Sequence, residues 1–145
     1  MKAPPTGWPR MSASVFYDDP RAGIDWLCRA FGFEVQLKVE GDAGEIVHSE
    51  LKLEEALIMV SGTGGKEPWQ SAYRSPQKIG GGITQALAFH IDDVDAHAAR
   101  AVAAGAKLVR EPRTDDYGDD YWADRTYGAV DPEGHLWWFM QRLRG

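Results

Sequence analysis

Apolar residues along this chain follow two rhythms, and the order in which the rhythms succeed one another repeats once. A short strand-like segment runs into Asp18-Asp19, after which Ile24, Leu27, Cys28 and Phe31 fall at the i, i+3, i+4, i+7 spacing of a helix face. The carboxylates can accept orphan N–H bonds at the helix start, and Pro20 suits the first helical position. Gly32 supplies a left-handed C-cap, and three strand-like segments follow at about 33–40, 45–53 and 56–61. The same grammar returns at HIDDVDAHAARAVAAGAKLV, residues 90–109. Asp92-Asp93 opens the second helix, Val94, Ala98, Ala101 and Val102 form its apolar face, and Gly105 closes it. Strand-like segments then follow at about 107–112, 125–131 and 134–141. The offset between copies is 74 residues at the Asp pairs and 73 at the glycines, an internal repeat of one β-α-β-β-β unit.

The remaining stretches mark the joints. Residues 1–10, MKAPPTGWPR, lack the apolar core of a secretion signal and read as a flexible tail. The first module then spans 11–61 and the second 85–145. The Gly-, Pro- and Ser-rich run GTGGKEPWQSAYRSPQKIGGG sits within a linker over 62–84. A second irregular stretch, PRTDDYGDDYWAD at 112–124, interrupts the second copy.

A length of 145 residues suits one domain or two small halves sharing a core. A net charge of −6 argues against nucleic acid as a partner, and no apolar run is long enough to span a membrane. Cys28 is the only cysteine, so an intramolecular disulfide and a cysteine-based zinc site are excluded. These features together predict a cytoplasmic location.

The paired modules, with YDDPRAGIDWLCRAFGFE, HIDDVDAHAARAVAAGA and YGAVDPEGHLWWF, resemble the vicinal oxygen chelate superfamily of glyoxalase I, bleomycin-resistance proteins and extradiol dioxygenases. The Asp-Pro-x-Gly-His turn before a Trp-containing last strand is nearest in texture to the bleomycin-resistance/PhnB-like branch. The resemblance implies an α+β fold, two βαβββ modules whose strands form curved sheets around a ligand cavity, and a homodimer.

It also implies where a divalent metal would be held. Metal-dependent members carry His or Gln on the first strand of each module and Glu on the last. In this chain those places fall on Ser12, Ala86 and Trp138, with Ile58 or Met59 on the remaining strand. None offers an imidazole or carboxylate, the donors such a site uses, so no metal or other cofactor is expected. Strand alternation groups Ala86, Ala88 and His90 on one face, and His48, Glu50 and Lys52 on another. His48, Glu50 and His90 are therefore the candidates for a displaced metal site or for acid–base catalysis, against the alternative that they are ordinary strand residues. His97 reads as a surface residue, His135 as part of a turn, and Cys28 as a buried thiol.

With Ser12, Met59, Ala86 and Trp138 in those places, the ligand-facing surface becomes neutral and partly aromatic, and Ser14 and Phe16 share it. Trp69, Tyr73, Tyr117, Tyr121 and Trp122 are candidate rim residues. Asp115, Asp116, Asp119, Asp120 and Asp124 either favour a cationic aromatic ligand or simply keep the loop solvated. The expectation is a metal-independent protein that binds a small organic molecule, a cationic or aromatic antibiotic-like ligand. The alternative is a metal-dependent glyoxalase-like lyase/isomerase or dioxygenase with a displaced site. Enzymatic activity stays open, and the missing metal ligands lean against it.

Overall fold

The computed structural model describes residues 2–145; residue 1 of the expected tail lies outside the described residues. In chain order the elements are β1 (Ala13–Tyr17), α1 (Pro20–Phe31), β2 (Glu34–Glu40), β3 (Ile46–Leu53) and β4 (Ala56–Gly62). They continue with β5 (Leu87–His90), α2 (Val94–Ala103), β6 (Lys107–Asp116), β7 (Ala123–Val130) and β8 (Leu136–Arg144). Two short 3-10 turns, Pro68–Ala72 and Pro76–Ile79, lie between β4 and β5. The fold is α+β, with the βαβββ unit present twice as the repeat predicts. The chain divides into two compact units between Ser75 and Pro76, each carrying one module. Among the described residues no helix is long and apolar enough to cross a membrane.

In the first unit the strand order is β1-β4-β3-β2, with β1 parallel to β4 and the other pairs antiparallel. Asp19 caps α1 by accepting the Ala22 N–H at 3.0 Å, Pro20 occupies the first turn, and Gly32 closes the helix at φ 81°. Ile24, Leu27, Ala30 and Phe31 of α1 are buried, as are Val15, Tyr17, Leu51, Ile58 and Val60 from the strands. Gly23 faces Tyr17 so closely that a Cβ would stand 2.7 Å from the ring, which is why the helix needs a glycine there. Cys28, expected on the buried stripe, is only half-buried; Trp26, 6% exposed, is buried instead.

The first sheet opens at one end. β3 and β4 pair from Leu53↔Ala56 to Leu51↔Ile58. Beyond that point the Ser49 hydroxyl takes over the ladder, donating to the Val60 carbonyl at 2.6 Å and accepting its N–H at 3.1 Å. Residues Ile46–Glu50 continue only with β2.

In the second unit the order is β5-β8-β7-β6, again with one parallel pair, β5 and β8. Asp93 caps α2 through the Ala96 N–H. The buried face is Val94, Ala98 and Ala101; Val102, expected with them, is 50% exposed. The helix ends one residue before the expected glycine: Ala104 is the C-cap, and Gly105 follows at φ 94°. Phe89, Tyr127 and Phe139 form a stacked aromatic core.

The stretch 112–124, expected to be irregular, is mostly a β-hairpin. β6 runs to Asp116 and β7 begins at Ala123. Pro112 sits where the register shifts between Arg110 and Arg113, so the ladder passes a residue without a donor. The strand regularity was hidden because alternation restarts out of phase after that shift.

Candidate functional site

Period-2 alternation gives each sheet one face toward its helix and one away from it. On the first sheet the away face carries Ser14 and Phe16 of β1, directly paired with Met59 and Ser61 of β4. Ser12 precedes β1 and is half-buried. His48, Glu50 and Lys52 share that face on β3 as expected. His48 Nε2 lies 2.9 Å from Glu50 Oε1, and Gln36 Nε2 donates to Glu50 Oε2 at 2.9 Å. Glu50 is 6% exposed. Its carboxyl is held below the usual glutamate range by the hydrogen bond from His48, aided by Gln36 and by the Trp8 side chain, while burial pushes the other way. A tail residue thus reaches the sheet: Trp8 and Pro9 are half-buried, and the Trp8 N–H closes a turn on the Pro5 carbonyl. Glu50 spends its oxygens on these donors, so it orients His48 rather than serving as a free base.

Where β3 leaves β4, a cleft of about 850 Å³ opens between the β2–β3 hairpin and the end of β4. Ser14, Phe16, Ile46 and Val47 line its sheet side, and Gly62–Glu67, Gln70 and Tyr73 line the other. Tyr73 stacks on Phe16 with ring centroids 3.9 Å apart and planes 19° from parallel. Asp18 accepts the Thr63 hydroxyl at 3.1 Å and the Ser75 hydroxyl at 2.8 Å. Arg21, also on the cleft, donates to Glu40 at 2.9 Å and to the Gly44 carbonyl.

On the second sheet the register separates the tandem tryptophans. Trp137 is 1% exposed and donates its indole N–H to Asp131 Oδ2 at 3.0 Å. Trp138 points to the other face, half-buried, paired with Ala88 and Gly128 on its two neighbours. The DPEGH turn is built on the same aspartate: Asp131 Oδ1 accepts the N–H groups of Glu133 and His135, each at 3.0 Å. Ala86 precedes β5, and Ala86, Ala88 and His90 are all exposed. His97, read as a surface residue, lies 2.6 Å from the buried Tyr127 hydroxyl and 4.3 Å from the Phe139 ring centroid.

The acidic stretch is largely paired. Arg110 and Arg113 hold Asp115, Arg144 holds Asp116, and Arg142 holds Asp124 at 2.6 Å. Arg142 also lies 5.4 Å from the centroid of Trp122, a residue 40% exposed with Tyr117 and Tyr121 beside it. The expected cationic attraction of this loop is thus met within the chain at three of its aspartates. Arg125 pairs with Asp95 of α2 at 2.7 Å rather than with a loop aspartate.

Ser12, Met59, Ala86 and Trp138 offer a hydroxyl, a thioether, a methyl and an indole, none of them the imidazole or carboxylate donor that a divalent ion takes. Among the described residues, no group of three or more His, Cys, Asp or Glu is placed to hold one. His48 and Glu50 supply a pair only.

Sequence reasoning named Ser14, Phe16 and Tyr73 but missed Asp18, Gln36, Trp8 and Gly128. Gly128 carried a signal, since a glycine inside a strand marks a close approach. Gln36 carried none.

A model of the Glyoxalase/Bleomycin resistance protein/Dioxygenase superfamily matches residues 11–139. An uncharacterized protein of Mycobacterium tuberculosis (strain ATCC 25618 / H37Rv) is 31% identical over 142 residues, covering 94% of this chain and 76% of that protein. An uncharacterized protein of Mycobacterium bovis is also 31% identical, covering 94% of this chain and 85% of its own length. Among solved structures, TioX from Micromonospora sp. ML1 superposes with a TM-score of 0.69 at 32% identity, covering 92% of this chain and 95% of that one.

Proposed function

Since the chain belongs to the Glyoxalase/Bleomycin resistance protein/Dioxygenase superfamily, we propose that it is a metal-independent protein that binds and sequesters a small organic molecule. The ligand class is an aromatic or cationic, antibiotic-like compound. The observation that carries the reading is Trp138, a half-buried indole on the sheet face away from the helix, at the place where metal-dependent relatives have a carboxylate. An indole offers a flat apolar surface and no lone pair for a cation. Phe16 and Met59 extend the same chemistry on the first sheet. The reading includes a homodimer and a cytoplasmic location, checked by light scattering and by fractionation.

The His48–Glu50 pair favours a second reading, an enzyme of the lyase/isomerase or dioxygenase kind in which His48 moves a proton. His48→Ala separates the two. Loss of turnover with binding retained supports the second reading.

The primary test is elemental analysis of the purified protein with a thermal-shift panel of aromatic and cationic compounds. A ligand at about a hundred times its Kd raises stability by about 2.7 kcal/mol. Stoichiometric zinc, nickel, manganese or iron would overturn the proposal, as would a panel in which no compound shifts the melting temperature.

A further inference from the structure

The segment from Thr63 to Ser75 is anchored at both ends to one carboxylate. Asp18 Oδ1 accepts the Thr63 hydroxyl and Oδ2 accepts the Ser75 hydroxyl. Thr63 is fixed further by its N–H to the Tyr17 carbonyl at 3.0 Å, and Ser75 is fully buried. Between the anchors almost nothing is buried: Gln70 and Tyr73 alone are half-buried, and Trp69 is 62% exposed. Gly64 and Gly65, at φ 80° and 152°, stand next to the first anchor, in backbone conformations that favour glycine. Pro68–Ala72 holds its own shape through reciprocal bonds between Glu67 and Gln70. A segment with fixed ends, few buried contacts and glycines beside one anchor opens at low free-energy cost.

What holds its middle to the sheet is the Tyr73 ring on Phe16. That near-parallel stack is the geometry a flat ligand would adopt on Phe16, and it closes one wall of the cleft. We propose that Thr63–Ser75 is a strap whose Tyr73 ring is the resident occupant of an aromatic slot on Phe16, and that a planar aromatic ligand enters by taking that slot from it. The inference rests on the small-molecule-binding reading and places the ligand in the first module. The cleft is lined by Asp18, Asp19, Glu45 and Glu67 against Arg21 and Lys66, a net negative wall, so a positively charged planar molecule suits it.

The test is a fluorescence titration of the full chain with proflavine, a planar aromatic cation, alongside Tyr73→Ala, Phe16→Ala and the double variant Thr63→Val/Ser75→Ala. Removing a competing ring stack tightens binding roughly fivefold in Tyr73→Ala, and Phe16→Ala weakens it at least as much. Loosening both anchors also tightens binding, and hydrogen exchange at residues 64–74 of the wild type rises when the dye is bound. Equal affinity in wild type and Tyr73→Ala overturns the strap while leaving small-molecule binding in place. Failure of the dye to bind any of these proteins overturns the inference, and the thermal-shift panel judges the broader reading separately.

Discussion

The six-membered ring of Trp138 rests directly on Gly128. A Cβ added at position 128 would stand 2.6 Å from Cζ3 and 2.8 Å from Cε3 of that indole. The two residues are cross-strand partners of β7 and β8, so the glycine supplies the flat seat and the tryptophan fills it. Gly128→Ala therefore lifts the indole off the sheet and costs roughly 1–3 kcal/mol of stability, as overpacking does. Urea denaturation measures the loss. Gly128→Ala combined with Trp138→Ala recovers part of it, and strict additivity of the two single variants would contradict the contact.

Asp131 gathers three donors onto one carboxylate: the N–H groups of Glu133 and His135, and the Trp137 indole. Asp131→Ala removes the buried acceptor that all three share and costs on the order of 3 kcal/mol or more. Trp137→Phe removes only one of the bonds, so a smaller loss is expected, measurable in the same denaturation series.

Glu50 links His48, Gln36 and Trp8, and its carboxyl titrates below the usual glutamate range because those groups favour the ionised form. A depressed folded-state pKa contributes stability that is present above the unfolded value and lost as pH falls through the folded value. The melting temperature of wild type therefore converges on that of Glu50→Gln as pH drops below about 4. A gap between the two that stays constant from pH 7 to 3 would remove this account.

Tyr127 behaves in the opposite sense. Burial raises its phenol pKa, so the unfolded chain releases the proton first and stability declines above about pH 10. Tyr127→Phe flattens the alkaline limb of the melting curve. At neutral pH it costs about 1 kcal/mol through the lost hydrogen bond with His97.

Both modules were legible in the chain because each repeats a local signature: a capped helix between strands, punctuated by glycine. The tandem tryptophans were legible for the same reason, since the tight DPEGH turn fixes the register and strand alternation does the rest. Other features had no local signature. Arg142 and Arg144 neutralise Asp124 and Asp116, which looked free in the sequence, because strand pairing joins residues separated by many positions, whereas Arg110 reaches Asp115 along β6 itself. Trp8 looked like one aromatic in a loose tail, and its bond to Glu50 ties it to the sheet. Cys28 missed its expected burial because the buried face of α1 is turned toward Gly23, Trp26 and Ala30, and Val102 because α2 buries only Val94, Ala98 and Ala101. Asp18 was readable as part of a helix-start pair, whereas its grip on Thr63 and Ser75 depends on where the chain returns 45 and 57 residues later.

In each sheet the strand made last stands inside. β4 lies between β1 and β3, and β8 lies between β5 and β7. During synthesis, therefore, the first strand of a module must wait, unpaired along its inner edge, until the fourth has left the ribosome. Neither module can mature strand by strand from its beginning. Each closes in one late step, in which the incoming strand makes a parallel and an antiparallel ladder together. A ribosome that stalls before β4 or β8 exposes two bare strand edges at once, so premature termination there yields an aggregation-prone fragment rather than a smaller stable fold.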